Sequence, residues 1–127
     1  MPELRQNRFT KEWVIIANER ARRPEEFSIK RDIKPLPAFS PTCPFCPGNE
    51  AMAPPDSLRI PAENSVPWQV RVVPNKFAAV SPTGQPERRI ERSKRAMNAV
   101  GFHDVIVETP DHSLTTALLP DAHVSDL

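Results

Sequence analysis

Cys43-Pro44-Phe45-Cys46-Pro47-Gly48-Asn49 is the stretch of sequence that decides the fold. Its two cysteines are the only ones in the chain, and the two residues between them let both thiolates point at one metal ion from a tight turn. Pro44 and Pro47 stiffen that turn, and Gly48-Asn49 can reverse the direction of the chain. Because a tetrahedral zinc ion takes four ligands, the pair supplies half of a zinc site.

The two cysteines lie in a segment that is crowded with proline. Of the 16 prolines in the chain, 11 fall between Pro24 and Pro74. Proline at this density opposes helices and central strands alike. A long irregular segment in a compact domain needs a reason to be ordered, and a bound metal ion would give one. Disorder is the alternative explanation of the same composition.

Composition narrows the class of protein. The 127 residues are enough for one domain, and the net charge of +1 gives no overall field that would favour nucleic acid or an acidic membrane. No apolar run approaches the ~18 residues of a membrane span, and residues 1–5 lack the apolar core of a signal peptide. We expect a soluble cytoplasmic protein, in which paired cysteines hold a metal more often than they form a disulfide.

Strand-like patterns lie on both sides of the proline-rich segment. Residues 11–16 and 68–73 are rich in β-branched and aromatic side chains, and residues 101–108 give the clearest strand. Residues 77–80 predict a short further strand. Residues 81–99 are polar and basic, and we expect a mobile surface loop there.

The last residues of the chain resemble the start of a helix. Pro120 and Asp121 suit a first helical turn, and the chain stops about two turns later without a C-terminal cap. A helix this short is marginal by itself. We therefore expect that the natural protein continues beyond Leu127.

The three histidines are the candidates for further metal ligands. His112 follows the strand of residues 101–108 at a Pro-Asp turn, which is a rigid place from which to offer a ring nitrogen. His103 fits better as a half-buried strand residue, and we expect His123 to be solvated in the final turn. Cys43, Cys46 and His112 then give three ligands, and the fourth must come from water or from sequence outside this chain.

Other interpretations of the cysteine pair are less favoured. A thioredoxin-type redox pair opens a helix, and Pro47-Gly48 follows here at once. A zinc ribbon of the kind that binds nucleic acid needs a second Cys-x-x-Cys, which the sequence lacks. Loop cysteines without any metal are the remaining alternative.

Arginines near Arg20 form a second candidate site. Two or three guanidinium groups on a loop after a strand can bind phosphate in bidentate fashion. The alternative is a solvated basic loop, which is the commoner role of such a run.

Taken together, these segments resemble the N-terminal part of galactose-1-phosphate uridylyltransferases and their close relatives. The matching segments follow in the same order and with similar spacing over nearly the whole chain: residues 3–5 with 13–16, 20–24, 43–49, 70–77 and 101–113. No single segment is specific, but the set of them is.

The resemblance implies a fold and a reaction. The fold is the α+β arrangement of the histidine-triad superfamily, antiparallel sheets with packed helices, of which this chain would hold the N-terminal portion. The family reaction is nucleotidyl transfer from a nucleotide-sugar (UDP-glucose) to a hexose 1-phosphate (galactose 1-phosphate) through a covalent nucleotidyl-histidine. The resemblance also implies a homodimer as the full-length form.

Site residues follow from the resemblance by position. Cys43, Cys46 and His112 match zinc ligands, and the family's fourth ligand is a histidine further along. A second set matches residues around the nucleotide or its phosphates: Arg20, Arg23, Phe45, Met52, Asn75, Lys76, Phe77 and Val105. Among these, Asn75 matches a ribose contact and the two arginines match phosphate contacts.

Two departures from the family pattern leave alternatives open. The family nucleophile lies in a His-Pro-His motif, and this chain has no His-x-His, so we expect the chain alone to lack activity. Lys76 stands where well-known uridylyltransferases carry aspartate, which makes relatives that transfer an adenylyl group from ADP-glucose a serious alternative. A non-catalytic, zinc-stabilised binding module is the alternative from another functional class.

Overall fold

Short antiparallel strands make up most of the regular structure in the computed structural model, which describes residues 2–18, 20, 35–62 and 67–127. In these residues there are seven strands: β1 (Glu3–Gln6), β2 (Trp13–Ile16), β3 (Leu58–Ile60), β4 (Val70–Pro74), β5 (Arg88–Glu91), β6 (Lys94–Asn98) and β7 (Asp104–Val107). The one α-helix in them is α1 (Asp121–Val124), and short 3₁₀ turns occur at Glu50–Met52 and Thr116–Leu118. The antiparallel sheets of the predicted α+β fold are confirmed, whereas this part of the chain shows no larger helix packed on them.

The chain divides into two compact units. The first comprises Met1–Ile29 and Phe77–His103, and the second comprises Lys30–Lys76 and Asp104–Leu127. Each unit has its own sheet, a four-stranded one in the order β2-β1-β6-β5 and a three-stranded one in the order β3-β4-β7. Every pair of neighbouring strands in both sheets is antiparallel.

The sequence predicted a loop over residues 81–99, and this prediction is wrong. The segment contains the hairpin of β5 and β6, which joins the first sheet because β6 pairs with β1 along its length. All four residues of β5 are exposed, so no alternation of buried and exposed positions marks this strand in the sequence. Arg92 makes the turn with a left-handed φ of +57°, a conformation for which glycine or asparagine is the usual signal.

Other strand predictions need smaller corrections. Residues 77–80 form turns and bends rather than a strand, and the backbone N–H of Ala79 donates to the ring of His103 (2.9 Å) instead of to a neighbouring strand. The proline-rich segment does contain a strand, β3, which lies at an edge of its sheet and ends where Pro61 begins. The predicted strands at 11–16 and 101–108 are confirmed with shorter bounds, and the one predicted at 68–73 is observed at 70–74.

The core of the second unit is centred on β4. Val70 and Val73 are almost completely buried, as are Trp68 before the strand and Val107 on the paired strand β7. Val73 pairs with Val105, and Pro74 pairs with Asp104 at the end of the ladder. The register therefore places the residues that follow Pro74 beside the beginning of β7.

A charged side chain also lies in this core. Arg71 is 1% exposed, and its guanidinium donates to Asp56 Oδ1 from Nε (2.9 Å) and from Nη2 (2.6 Å). The same group lies 5.2 Å from the centre of the Trp68 ring, within the range of a cation–π contact. Asp56 is partly exposed, so the two charges are desolvated to different extents.

Because the two charges are desolvated to different extents, removing Asp56 and removing Arg71 should lower the free energy of unfolding by different amounts. Asp56→Ala leaves a buried cation without its counter-charge, and we expect it to lower the free energy of unfolding by about 3 kcal/mol. Arg71→Met keeps the apolar stem in the core and leaves a carboxylate that can turn to water, so it should cost less. Urea denaturation of both variants measures the difference; equal losses, or a larger loss for Arg71→Met, would contradict this account.

Candidate metal centre and nucleotide site

The cysteine segment folds as a series of tight turns. The N–H of Cys43 donates to Ser40 O (3.2 Å), that of Cys46 to Cys43 O (3.3 Å), and that of Asn49 to Cys46 O (3.1 Å). Gly48 has a φ of +88°, which a residue without Cβ adopts at no steric cost. The prolines and the glycine thus form the turn that the sequence predicted.

The structure brings the predicted metal ligands together. Cys43 Sγ, Cys46 Sγ and a ring nitrogen of His112 all lie within 4.8 Å of one another, and Cys46 Sγ is 3.5 Å from His112 Nδ1. Two such ligands on one tetrahedral zinc ion lie about 3.5–3.8 Å apart. The cysteines are free thiols, Cys46 is buried and the other two residues are half-buried. The side chains therefore fit a metal ion.

The donor set indicates which ion fits. Two sulfurs and one imidazole are soft and borderline ligands, which suit zinc far better than calcium or magnesium. Cys43, Cys46 and His112 would provide three of the four ligands of a tetrahedral zinc ion. The described residues contain no other cluster of three or more His, Cys, Asp or Glu side chains with this geometry.

Hydrogen bonds around the cluster fix its orientation. The N–H of Ser40 points at Cys46 Sγ (3.4 Å), and the N–H of His112 donates to Ala38 O (2.8 Å). The amide Nδ2 of Asn49 lies within hydrogen-bond distance of three carbonyl oxygens, those of Ser40 (3.1 Å), Pro41 (3.3 Å) and Cys43 (2.8 Å). Such outer contacts hold metal ligands in place before the ion binds.

Burial raises the pKa of the Cys46 thiol, and the neighbouring Cys43 thiol raises it further, although the Ser40 N–H opposes both effects. Cys46 is therefore protonated at neutral pH when no metal is bound. Because zinc binds the thiolate, binding must release this proton, and affinity for the ion should increase with pH.

The turn of residues 43–49, called the metal turn below, is also connected to the core of its unit. Glu50, which follows Asn49 directly, accepts a hydrogen bond from the indole of Trp68 (3.1 Å). Burial works to raise the pKa of Glu50, but hydrogen bonds from backbone N–H groups and from Trp68, together with the charge of Arg71, lower it below its usual value. The ionised Glu50 thus anchors the end of the turn against the buried residue before β4.

The other two histidines lie outside the metal cluster. His103 precedes β7 rather than lying within it, and its Nδ1 accepts the N–H of Ala79, which agrees with a half-buried role and not with a ligand role. The expectation that His123 is solvated is wrong. It is half-buried, and its Nε2 lies 2.7 Å from Glu108 O, so it fastens α1 to the residue after β7.

Predicted nucleotide residues fall in both units. In the second unit, Asn75 and Lys76 follow β4 directly, half-buried and exposed respectively, beside the strand that carries Val105. Phe45 is half-buried within the metal turn, and Met52 ends the next 3₁₀ turn with 53% of its surface exposed. The metal turn and the end of β4 thus present their predicted residues within one unit.

Arg20 and Phe77 belong to the first unit, and Arg23 lies outside the described residues. Arg20 is half-buried in a short turn, where its N–H donates to Ala17 O (3.0 Å), and Phe77 is 61% exposed. The structure therefore gives positions for these two side chains, and their contact with a nucleotide stays a prediction.

Sequence reasoning missed the supporting residues of the metal site. Asn49 was assigned only to a chain reversal, although its amide organises the turn through three carbonyls. Its position immediately after Pro47-Gly48 is the signal that could have indicated this role, since asparagine amides commonly bond to nearby backbone in turns. The contact between Glu50 and Trp68 joins residues 18 positions apart, and no local pattern predicts it.

Comparison with known proteins shows the family of this chain. The family described as galactose-1-phosphate uridyl transferase, N-terminal domain, matches residues 1–127, and the chain therefore belongs to that family. None of the helices in the described part is long and apolar enough to cross a membrane.

Two relatives and one solved structure illustrate the similarity. The chain is 35% identical over 131 residues to an ADP-glucose phosphorylase of Arabidopsis thaliana and 29% identical over 131 residues to a galactose-1-phosphate uridylyltransferase of Haemophilus influenzae. Both alignments cover 99% of this chain but 36% and 35% of the relatives, so the chain spans about a third of their length. The crystal structure of an Arabidopsis thaliana ADP-glucose phosphorylase with bound ADP-glucose aligns with a TM-score of 0.52 and 30% identity, over 99% of this chain and 34% of that one.

Metal removal tests the cluster. We expect the purified chain to bind one zinc ion, and a strong chelator to lower the melting temperature by about 10 °C, because metal binding is coupled to folding. Cys43→Ser should reproduce the chelated protein in thermal melting, whereas Thr42→Ser, an exposed change in the same turn, should melt like the parent. An unchanged melting temperature after confirmed metal removal would contradict a structural role.

The outer contacts of the turn allow a finer test. Asn49→Ala removes the amide that bonds to three carbonyls, and we expect zinc affinity to fall about 10- to 100-fold while all three ligands remain. Competition with a chromophoric chelator measures the affinity. An affinity within about twofold of the parent value would show that the turn keeps its shape without this side chain.

Proposed function

We propose that the protein acts in nucleotidyl transfer between a nucleotide-sugar and a phosphate-bearing acceptor, and that this chain supplies a zinc centre and part of the nucleotide site. The observation that carries the proposal is the convergence of Cys43, Cys46 and His112, in a unit that also presents Asn75 at the end of β4. Membership of the galactose-1-phosphate uridyl transferase family supports the same reaction class.

Zinc has a structural role in this proposal. It would join the turn of residues 43–49 to the turn that carries His112, and it would supply folding free energy to a segment with few strands of its own. Phe45 and Met52 lie on or just after the first of these turns. A fixed turn would therefore hold these two side chains ready for the base.

In this proposal the residues of this chain bind and orient the nucleotide-sugar, while the covalent step needs a histidine nucleophile. In the proposed two-step reaction a histidine attacks the α-phosphate and displaces the sugar 1-phosphate, and a phosphate oxygen of the acceptor then takes the nucleotide and releases the histidine. The chain contains no His-x-His, so the proposal places the nucleophile outside these 127 residues. Arg20 and Arg23 are proposed to contact the phosphates, where a guanidinium can stabilise the charge that develops during transfer.

The proposal also specifies which nucleotide the sugar carries. The sequence put UDP-glucose and galactose 1-phosphate first, and the name of the Haemophilus influenzae relative supports transfer of a uridylyl group and galactose 1-phosphate. Two observations favour ADP-glucose instead: Lys76 follows Asn75, and the identity to the ADP-glucose phosphorylase is 35% against 29% for the uridylyltransferase. We therefore propose ADP-glucose as the preferred nucleotide-sugar and UDP-glucose as the second candidate. A cytoplasmic homodimer is proposed for the full-length protein.

Calorimetric titration of the zinc-loaded protein with ADP-glucose and with UDP-glucose tests this proposal. We expect tighter binding of ADP-glucose, and an affinity about tenfold lower in Asn75→Ala, since that change removes a proposed ribose contact. Gln69→Ala, which removes an exposed amide near the other end of the same strand, is the matched control.

Thermal melting separates the two possible roles of Asn75. An Asn75→Ala protein that melts like the parent and binds more weakly supports the nucleotide contact. A large fall in melting temperature would assign Asn75 to the fold. Failure of both nucleotide-sugars to bind to the zinc-loaded protein, or to a longer form that contains a His-Pro-His motif, would refute the proposed function.

A further inference from the structure

One face of the four-stranded sheet combines an aromatic ring, an apolar side chain and unpaired cations. The strand register aligns Trp13, Gln6, Arg95 and Ile90 in a row that crosses β2, β1, β6 and β5. Directly paired residues of antiparallel strands project from the same face. Trp13 is 40% exposed and Ile90 is 70% exposed, so both present apolar surface to solvent on the described part of this face.

Two turns border this row at the same end of the sheet. The β1–β2 turn carries Arg8 and Lys11, and the two-residue β5–β6 turn carries Arg92. Side chains from the row and from both turns line one open pocket, among them Gln6, Arg8, Lys11, Ile90, Arg92 and Arg95. Four of these side chains are cationic and none is acidic.

The four cations have no carboxylate partner in the part of the chain that the structure describes. Two acids are close to these cations in sequence: Glu12 accepts a hydrogen bond from Thr10 Oγ1 (2.9 Å), and Glu91 lies opposite Lys94 in the strand ladder. The register places Glu91 and Lys94 on the opposite face of the sheet from Ile90 and Arg95.

The opposite face shows how the same sheet neutralises arginine. There Glu3 forms ion pairs with Arg5 and with Arg89, whose Nη2 lies 3.1 Å from Glu3 Oε2. These contacts lower the pKa of Glu3, the hydrogen bond from Arg5 being the largest cause. On that face the Glu3 carboxylate thus pairs with two arginines. The cations around the pocket, by contrast, give the pocket a net positive potential.

The backbone adds an independent observation. In the described residues, Lys11 (φ +64°) and Arg92 (φ +57°) are the two non-glycine residues with positive φ, and both line this pocket. Long side chains rarely adopt this conformation, which costs of order 1–3 kcal/mol per residue. A glycine or asparagine would make each turn more easily, but would remove the cation.

We propose that this face binds a phosphate-bearing anion that carries at least two linked phosphate groups. The guanidinium groups of Arg92 and Arg95 can each bind phosphate oxygens in bidentate fashion, and Arg8 and Lys11 contribute positive charge from the neighbouring turn. None of these residues belongs to the set assigned to the nucleotide-sugar.

Inorganic tripolyphosphate at constant ionic strength is the probe for this site. We expect calorimetric titration to give saturable binding that weakens about tenfold in the double variant Arg92→Asn, Arg95→Gln, which keeps a residue suited to the left-handed turn. Lys94→Gln removes one positive charge from the same hairpin on the opposite face and should bind like the parent. An equal loss in Lys94→Gln, or binding unchanged in the double variant, would overturn the proposal.

The fluorescence of Trp13 then distinguishes a free polyphosphate from a nucleotide as the source of the phosphates. Trp68 is 3% exposed, so a ligand that reaches this face should change chiefly the Trp13 signal. If ADP binds more tightly than tripolyphosphate and loses that advantage in Trp13→Leu, the ligand is a nucleotide whose base stacks on the ring. If the two anions bind equally, the site recognises the phosphates alone. Neither anion binding to the parent protein would refute the site.

Discussion

The second unit brings Cys43, Cys46 and His112 together, and an ion held by them would constrain its whole proline-rich segment. Cys46 and His112 are separated by 66 positions in the sequence, yet their side chains lie 3.5 Å apart. An ion that joins them closes a long loop, and a cross-link of that length removes roughly 4 kcal/mol of conformational freedom from the unfolded chain. This contribution matters here because the proline-rich segment forms only short elements in its described residues.

The metal turn and the sheet of this unit form one connected structure. Glu50 follows the turn and accepts a hydrogen bond from Trp68, which in turn contacts the guanidinium of Arg71 on β4. Strand β4 then ends at Pro74, whose missing N–H suits the end of a ladder, and Asn75 comes next. A chain of contacts therefore runs from the Cys43–Cys46–His112 cluster to the strand that Asn75 follows, so binding of an ion at the cluster would be felt at that strand.

The sequence pointed to Cys43, Cys46 and His112, which the structure brings together, because their signals are local. The Cys-x-x-Cys spacing, the prolines around it and the Pro-Asp turn before His112 each constrain a few neighbouring residues, and β4 and β7 are dense in β-branched side chains. The hairpin of β5 and β6 could not be recognised in the same way, because its residues are largely exposed and its turn uses arginine where glycine is the usual signal. His123 was misjudged because its partner is a backbone carbonyl, which no residue pattern reveals.

Arg23 lies outside the described residues, so its phosphate contact stays a prediction.

The outer strands of the four-stranded sheet differ in a way that affects how copies of the molecule meet. Strand β5 presents Arg88, Arg89 and Glu91 along one edge, and charges of this kind discourage a second chain from extending the sheet. At the other edge of the described sheet, β2 presents Trp13, Val14 and Ile15, each 40–50% exposed. Intermolecular strand pairing would therefore begin at β2, which makes that strand the place to add a lysine or proline if the isolated chain proves prone to aggregation.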